Sequence, residues 1–149
     1  MNNLQRDHSH AGHMNIVEKN ERVTMVRQNL CGLPDYPLPA RYSIRAYSPG
    51  DERTWVRIES AAEQYKEITL ELFHGEFADD PAELAQRQFF LFDPQGIAIG
   101  TATAWFDSNY HGREFGRIHW VAIVPDSQGL GLARPLLSKI CSTLLDLGH

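Results

Sequence analysis

The feature that most constrains the fold of this chain is a nearly continuous apolar segment. It leads directly into a glycine loop and then into a helix. Residues 117–124 read RIHWVAIV, and such a run is typical of a central strand buried on both faces. Pro125 ends the predicted strand, and Gly129 and Gly131 follow it. Apolar residues then recur every three or four positions, as on a helix with one buried side: Leu132, Leu136, Leu137, Ile140, Cys141, Leu144 and Leu145.

The glycine loop favours the binding of an anion. The first N–H groups of a helix have no partner within it, and the helix dipole places about half a positive charge there. Gly129 and Gly131 have no Cβ, so a phosphate can approach the backbone, although a purely structural turn has the same composition. A Walker loop would need Lys and Ser or Thr where Leu132 and Ala133 stand. A dinucleotide fingerprint would need a third glycine and a following parallel strand.

The rest of the sequence predicts an α+β arrangement. Apolar residues at helical spacing (Trp55, Ile58, Ala62, Tyr65 and Leu72) predict one helix, which starts after Ser48 as capping residue and breaks near 73–75. A second helix is predicted over 81–87, and 107–116 is predicted as a loop. The predicted strands are 23–27, 42–47, 88–92, 97–106 and 117–124.

Four glutamates lie beside the apolar stripe of the predicted first helix, at i,i+4 spacing: Glu59, Glu63, Glu67 and Glu71. Residues 50–83 contain ten acids and three basic residues, a local balance of −7. The pattern predicts either a solvated helix face or a surface that attracts cations.

Bulk properties predict one soluble domain. The 149 residues are 42% hydrophobic and 22% charged, and the net charge of −5 argues against a nucleic-acid partner. No apolar run approaches the ~20 residues that cross a membrane. The polar N-terminus has no apolar h-region, so we do not expect secretion. Cys31 and Cys141 are too few for a disulfide scaffold, so we expect reduced thiols and a cytoplasmic location.

The first residues carry no hydrophobic period. We expect a disordered N-terminal tail over 1–21 and one domain over 22–149. His8, His10 and His13 lie in the tail, but no Cys or carboxylate stands at a convincing ligand spacing, so no metal is expected.

The segment Gln128-Gly129-Leu130-Gly131-Leu132-Ala133 resembles motif A of the GNAT acetyltransferases, Gln/Arg-x-x-Gly-x-Gly/Ala. The preceding Val121–Ile123, with Pro125 and Asp126, is similar to the strand that leads into this motif. The order of elements from Tyr42 onward also resembles that of the family. The resemblance implies a GNAT-like acyl-CoA N-acyltransferase fold, α+β, with a mixed, mostly antiparallel sheet flanked by helices.

The resemblance also implies a reaction, the transfer of an acetyl group from acetyl-CoA to an amine by direct attack. The acceptor would be a small molecule or a peptide, and in the family the first helical region borders its pocket. His119 would be the general base, with a buried structural histidine as the alternative. Backbone groups of Val121, Ala122 and Ile123 would pair with the pantetheine arm. Amides of the motif would hold the pyrophosphate: Gln128, Gly129, Leu130, Gly131, Leu132, Ala133 and Arg134.

The sequence ends at Leu147-Gly148-His149, a helix-end signal, where the family continues with further strands and a helix. We therefore expect an incomplete domain that lacks its C-terminal strands. A CoA-binding module without activity and an inactive fragment are the alternatives to an enzyme. An uncovered motif strand would also favour a homo-oligomer.

Overall fold

Four antiparallel strands form one sheet in the computed structural model, which describes residues 23–77 and 80–149. The strands lie side by side in chain order: β1 (Ser43–Ala46), β2 (Gln88–Phe92), β3 (Ala98–Tyr110) and β4 (Arg113–Ile123). The helices are α1 (Glu52–Ala62), α2 (Leu70–Phe77), α3 (Pro81–Arg87) and α4 (Ala133–Asp146), with a short 3-10 turn at Pro125–Ser127. This order confirms the α+β fold.

The sheet separates two apolar cores. Alternate side chains of β2 point to opposite faces, so Phe90 packs under α1 and α2 while Leu91 packs under α4. Trp55, Phe90 and Leu136 have no exposed surface. Each such side chain contributes roughly 1.5–3 kcal/mol through burial. The sheet is therefore held on both faces, and α1, α2 and α4 have fixed positions beside β4.

The first helical region differs from the prediction. One helix was expected until 73–75, but α1 ends at Ala62 and α2 runs through those residues. The backbone of Glu63 is extended, and its side-chain Oε1 accepts hydrogen bonds from the N–H groups of Gln64 and Tyr65, both at 2.8 Å. Thr69 Oγ1 then accepts the N–H of Leu72 at 3.1 Å and starts α2. Local side-chain bonds thus replace the helical ones.

This break removes the predicted stripe of glutamates. Glu59 is buried in α1, Glu63 ends that helix, Glu67 lies in the loop and Glu71 is on α2. The four side chains therefore do not share one solvated face, and the prediction of an i,i+4 row was wrong.

Three predictions about the strands were also wrong: one strand, one loop and the position of β4. Residues 23–27 form no strand and are exposed. The predicted loop over 107–116 is mostly strand, because His111 and Gly112, with φ of 51° and 80°, make a tight hairpin turn. Strand β4 lies at the sheet edge among the described residues, not at its centre.

Other predictions were confirmed. Strand β1 falls inside 42–47, and β2 matches 88–92. A turn at 93–96 joins β2 to β3. Helix α3 covers 81–87, and the Asp80 carboxylate accepts the N–H groups of Ala82 and Glu83. Ser48, in contrast, does not cap α1: Asp51 occupies that position, and no side-chain hydrogen bond caps the helix.

Candidate functional site

The glycine loop presents a row of free N–H groups. Gly129 and Gly131 adopt φ of 75° and 76°, a conformation that favours glycine. A Cβ built at either position meets no atom within 4 Å, so the space above the loop is open. Among the described residues, no hydrogen bond uses an N–H of 129–133 as donor. These five N–H groups stand at the positive end of α4, where they favour an anion.

We call the predicted pyrophosphate-binding segment 128–134 the cradle. The N–H groups of its two end residues are hydrogen-bonded, unlike those of its central residues. The N–H of Gln128 donates to Pro125 O at 3.1 Å, and the N–H of Arg134 donates to Gly131 O at 3.2 Å. Gln128 Nε2 also donates to Ile123 O at 2.8 Å and so ties the loop to β4. The Arg134 guanidinium lies 5.5 Å from the ring centre of Tyr36. The structure therefore brings five of the seven predicted cradle residues together as free donors.

Strand β4 carries a β-bulge at Trp120 and Val121, where the predicted pantetheine residues begin. Ala122 pairs with Thr101 and His119 pairs with Thr103, so Trp120 and Val121 together oppose one residue of β3. Trp120 has φ of 47°, a strained conformation for a tryptophan. Val121–Ile123 then lie at the sheet edge, where β4 has no neighbour on its outer side within the described chain.

His119 faces α2 and is 7% exposed. Its Nε2 lies 2.9 Å from Glu76 Oε2, which also accepts the indole N–H of Trp120 at 3.1 Å. Burial, with the charge of Arg117, lowers the pKa of His119 to about 4. Burial opposes ionisation of Glu76, but the two hydrogen bonds, together with nearby charge that includes Lys66, outweigh it and lower its pKa. His119 is therefore neutral at pH 7 and donates from Nε2 to an ionised Glu76.

Glu76 was missed in the sequence. It lies 43 positions before His119, and no pattern in the sequence links the two. The adjoining Lys66 places its Nζ 5.1 Å from the ring centre of Trp120. The bulge, His119, Glu76 and Lys66 thus form one polar cluster at the edge of the sheet.

Glu59 is a second residue whose environment the sequence did not predict. It is 4% exposed, and its Oε1 has no hydrogen-bond partner. Burial, together with the charge of Glu63, raises the pKa of Glu59 to about 8. The available signal was its spacing, because Glu59 follows Trp55 by one helical turn and so shares the buried stripe.

The described residues contain no cluster of three or more His, Cys, Asp and Glu side chains that would hold a metal. None of their helices has the length and apolar character to cross a membrane. The histidines His8, His10 and His13, and the tail predicted over 1–21, lie outside the described part of the chain.

The profile of the acetyltransferase (GNAT) family matches residues 52–149, from α1 through the glycine loop to α4. The chain belongs to this family. A mycothiol acetyltransferase from Paenarthrobacter aurescens is 29% identical to this GNAT chain over 127 residues. The match covers 78% of the chain but only 38% of that relative.

Solved structures show the same fold for this GNAT chain. A GCN5-related N-acetyltransferase from Sphaerobacter thermophilus superposes with a TM-score of 0.57 at 20% identity, over 74% of the chain and 34% of the other. A Mycobacterium tuberculosis protein solved in complex with CoA gives 0.51 at 17% identity, over 70% and 58%. The predicted GNAT-like fold is therefore confirmed.

Proposed function

We propose that this GNAT domain transfers an acetyl group from acetyl-CoA to an amine of a small molecule or peptide. The observation that carries the proposal is the row of five free N–H groups at 129–133, which follows a strand with an open edge. A pyrophosphate has the charge and the acceptor atoms for this row. The family match supports the same reaction.

The residues around the loop fit acetyl-CoA. The pyrophosphate would lie against 129–133, and the pantetheine arm would extend along Val121, Ala122 and Ile123 at the edge of β4. Gln128 holds the loop onto the strand and leaves its own N–H inside the turn, so its role is structural. Arg134 is available for an outer phosphate through its side chain only. Acetyl-CoA supplies an activated thioester, and no metal is needed for its aminolysis.

The acceptor amine would approach at the bulge. The ammonium first gives one proton to solvent, and the neutral nitrogen then attacks the thioester carbonyl. As the thiolate of CoA leaves, it takes up the proton that the nitrogen loses when the amide forms. Glu76 is 30% exposed and ionised, so it suits an incoming ammonium group. His119 as general base stays a prediction, but a pKa of about 4 matches an ammonium poorly. Its bond to Glu76 favours a positioning role.

The cradle can be tested with two matched glycines. Gly131 and Gly96 both have positive φ and open space, so an aspartate strains the backbone similarly at each. Only at Gly131 does the new carboxylate enter the proposed cradle. We expect Gly131→Asp to abolish CoA binding in calorimetry and Gly96→Asp to retain it. Equal CoA affinity in both folded variants would refute the cradle.

Activity needs a separate assay. We expect release of the CoA thiol when glucosamine, spermidine and a peptide with a free amino terminus are offered as acceptors. CoA binding without thiol release would favour a non-catalytic module, and no binding would favour an inactive fragment. These alternatives matter because the chain spans 38% of the length of its mycothiol acetyltransferase relative.

Two further parts of the proposal concern the cellular location of the protein and its oligomeric state. The thiols of Cys31 and Cys141 are free, which suits the reducing cytoplasm. Recovery of the protein in a secreted fraction would contradict that location. The open edge of β4 favours a homo-oligomer, which sedimentation tests.

A further inference from the structure

Lys66 carries an amino group to the bulge from the loop between α1 and α2. Its side chain is exposed, and its Nζ lies 5.1 Å from the ring centre of Trp120, within the range of a cation–π contact. Its positive charge also attracts Glu76, the carboxylate that accepts the indole N–H of Trp120. Neither contact is a hydrogen bond, so the ammonium can leave the ring at small cost.

The direction of β4 brings the reactive end of acetyl-CoA to the same bulge. In the proposed function the pyrophosphate lies at 129–133, beyond the end of β4 at Ile123. The pantetheine arm then runs back along the strand edge to Val121. The thioester is at the far end of this arm, so it would lie beside Trp120. The Lys66 amine and the acetyl group would therefore meet at one residue.

We propose that this domain acetylates its own Lys66, with acetyl-CoA as the donor. The proposal rests on the proposed function and names one amine that the site accepts. The segment that carries this amine is part of the chain, so no binding step is needed before the reaction. Proximity of this kind is a large part of the rate advantage of an intramolecular reaction.

The reaction needs no co-reactant besides acetyl-CoA. The Lys66 ammonium first gives one proton to solvent, and the neutral Nζ attacks the thioester carbonyl. A C–N bond forms, and the C–S bond breaks. The departing CoA thiolate takes up the proton that Nζ loses when the amide forms. The products are an acetylated Lys66 and free CoA.

Lys139 provides a matched control within the same chain. The sequence contains three lysines, of which Lys19 lies outside the described residues. Lys139 is exposed like Lys66, and its Nζ lies 4.8 Å from the ring centre of Phe89. Phe89 belongs to the core under α4, whereas Trp120 packs against the core on the opposite face of the sheet. The two lysines therefore have similar surroundings, but only Lys66 lies at the bulge.

The purified chain can be incubated with acetyl-CoA and no other amine, while peptide mass mapping follows each lysine. We expect Lys66 to gain one acetyl group at least about tenfold faster than Lys139, because only Lys66 lies near the bound thioester. The rate should not depend on protein concentration, since transfer occurs within one chain. An excess of CoA without its acetyl group should slow labelling of Lys66 and leave Lys139 unchanged.

The cradle variants extend this test. Gly131→Asp should abolish the faster labelling of Lys66, and Gly96→Asp should retain it. Where Gly131→Asp fails to fold, the competition by CoA still measures whether labelling needs the bound cofactor.

Three results would overturn the inference. Equal labelling of Lys66 and Lys139 would mean that acetyl-CoA modifies exposed lysines without the site. An unlabelled Lys66 in a chain that acetylates a free amine would leave the proposed function intact and remove this acceptor. A rate that rises with protein concentration would place the reacting site on another copy. Failure of the proposed function would instead appear as loss of CoA binding in calorimetry.

Discussion

Replacement of Glu59 by glutamine should change how stability depends on pH. The ordinary pKa of this carboxyl is 4.5, and burial with the Glu63 charge raises it to about 8 in the folded chain. Between these values the unfolded chain loses the proton while the folded chain keeps it. The unfolded state then binds fewer protons, so the free energy of unfolding falls as pH rises. Below pH 4.5 both states are protonated, and the effect disappears.

The size of the effect follows from the shift. Each pH unit changes the free energy of unfolding by about 1.4 kcal/mol. At pH 7 the accumulated cost of Glu59 is therefore about 3 kcal/mol, and it grows by about 2 kcal/mol between pH 6.5 and 8. Glutamine has nearly the same shape and does not ionise, so Glu59→Gln should lack this loss.

Ionisation of His119 changes the free energy of unfolding with the opposite sign and over a different pH range. Its pKa falls from 6.5 to about 4 on folding, so the unfolded state binds more protons below pH 6.5. Stability due to His119 is therefore lost as pH falls from 6.5 towards 4. Above pH 6.5 His119 is neutral in both states and adds no pH dependence, so the slope from Glu59 is seen without it.

Urea unfolding between pH 5 and 8.5 measures this slope for the wild type, Glu59→Gln and the exposed control Glu71→Gln. The difference between Glu59→Gln and the wild type should grow steadily up to pH 8. Glu71→Gln should run parallel to the wild type. Parallel curves for all three proteins would show that Glu59 ionises normally and would refute its burial.

Two further predictions concern the edge strand and a helix cap. The chain should self-associate in sedimentation at high concentration, and Val121→Lys should make it monomeric, because a lysine on an open edge strand opposes pairing. A wild-type monomer would contradict the open edge. Asp80→Ala should lower the free energy of unfolding by about 1 kcal/mol through loss of the α3 cap. Ser48→Ala should cost less than Asp80→Ala, and an equal cost would contradict the assignment of the cap.

Local signals in the sequence predicted the glycine loop, strands β2 and β3, and α3. The loop and the helix depend on residues that act on their own backbone, such as Gly131 in a left-handed conformation or Asp80 as a cap. The division of α1 from α2 depends on a competition that the apolar spacing does not report. Glu63 and Thr69 bind nearby N–H groups and end one helix before the next begins.

The candidate site was only partly predictable, because much of it is tertiary. The row of free N–H groups could be predicted, since these donors are consecutive in sequence. The bond between His119 and Glu76 joins two elements that no spacing rule connects. The burial of Glu59 is an intermediate case, because its helical position favoured the core while its charge favoured solvent.

The bulge at Trp120 changes the parity of β4. In a regular strand, residues three apart point to opposite faces. His119 and Ala122 are three apart, yet they oppose Thr103 and Thr101, which share one face of β3. The extra residue thus lets one face of the sheet both anchor α2 through His119 and continue, through Ala122, into the segment that precedes the glycine loop. Deletion of one residue here would turn one half of the strand over relative to the other.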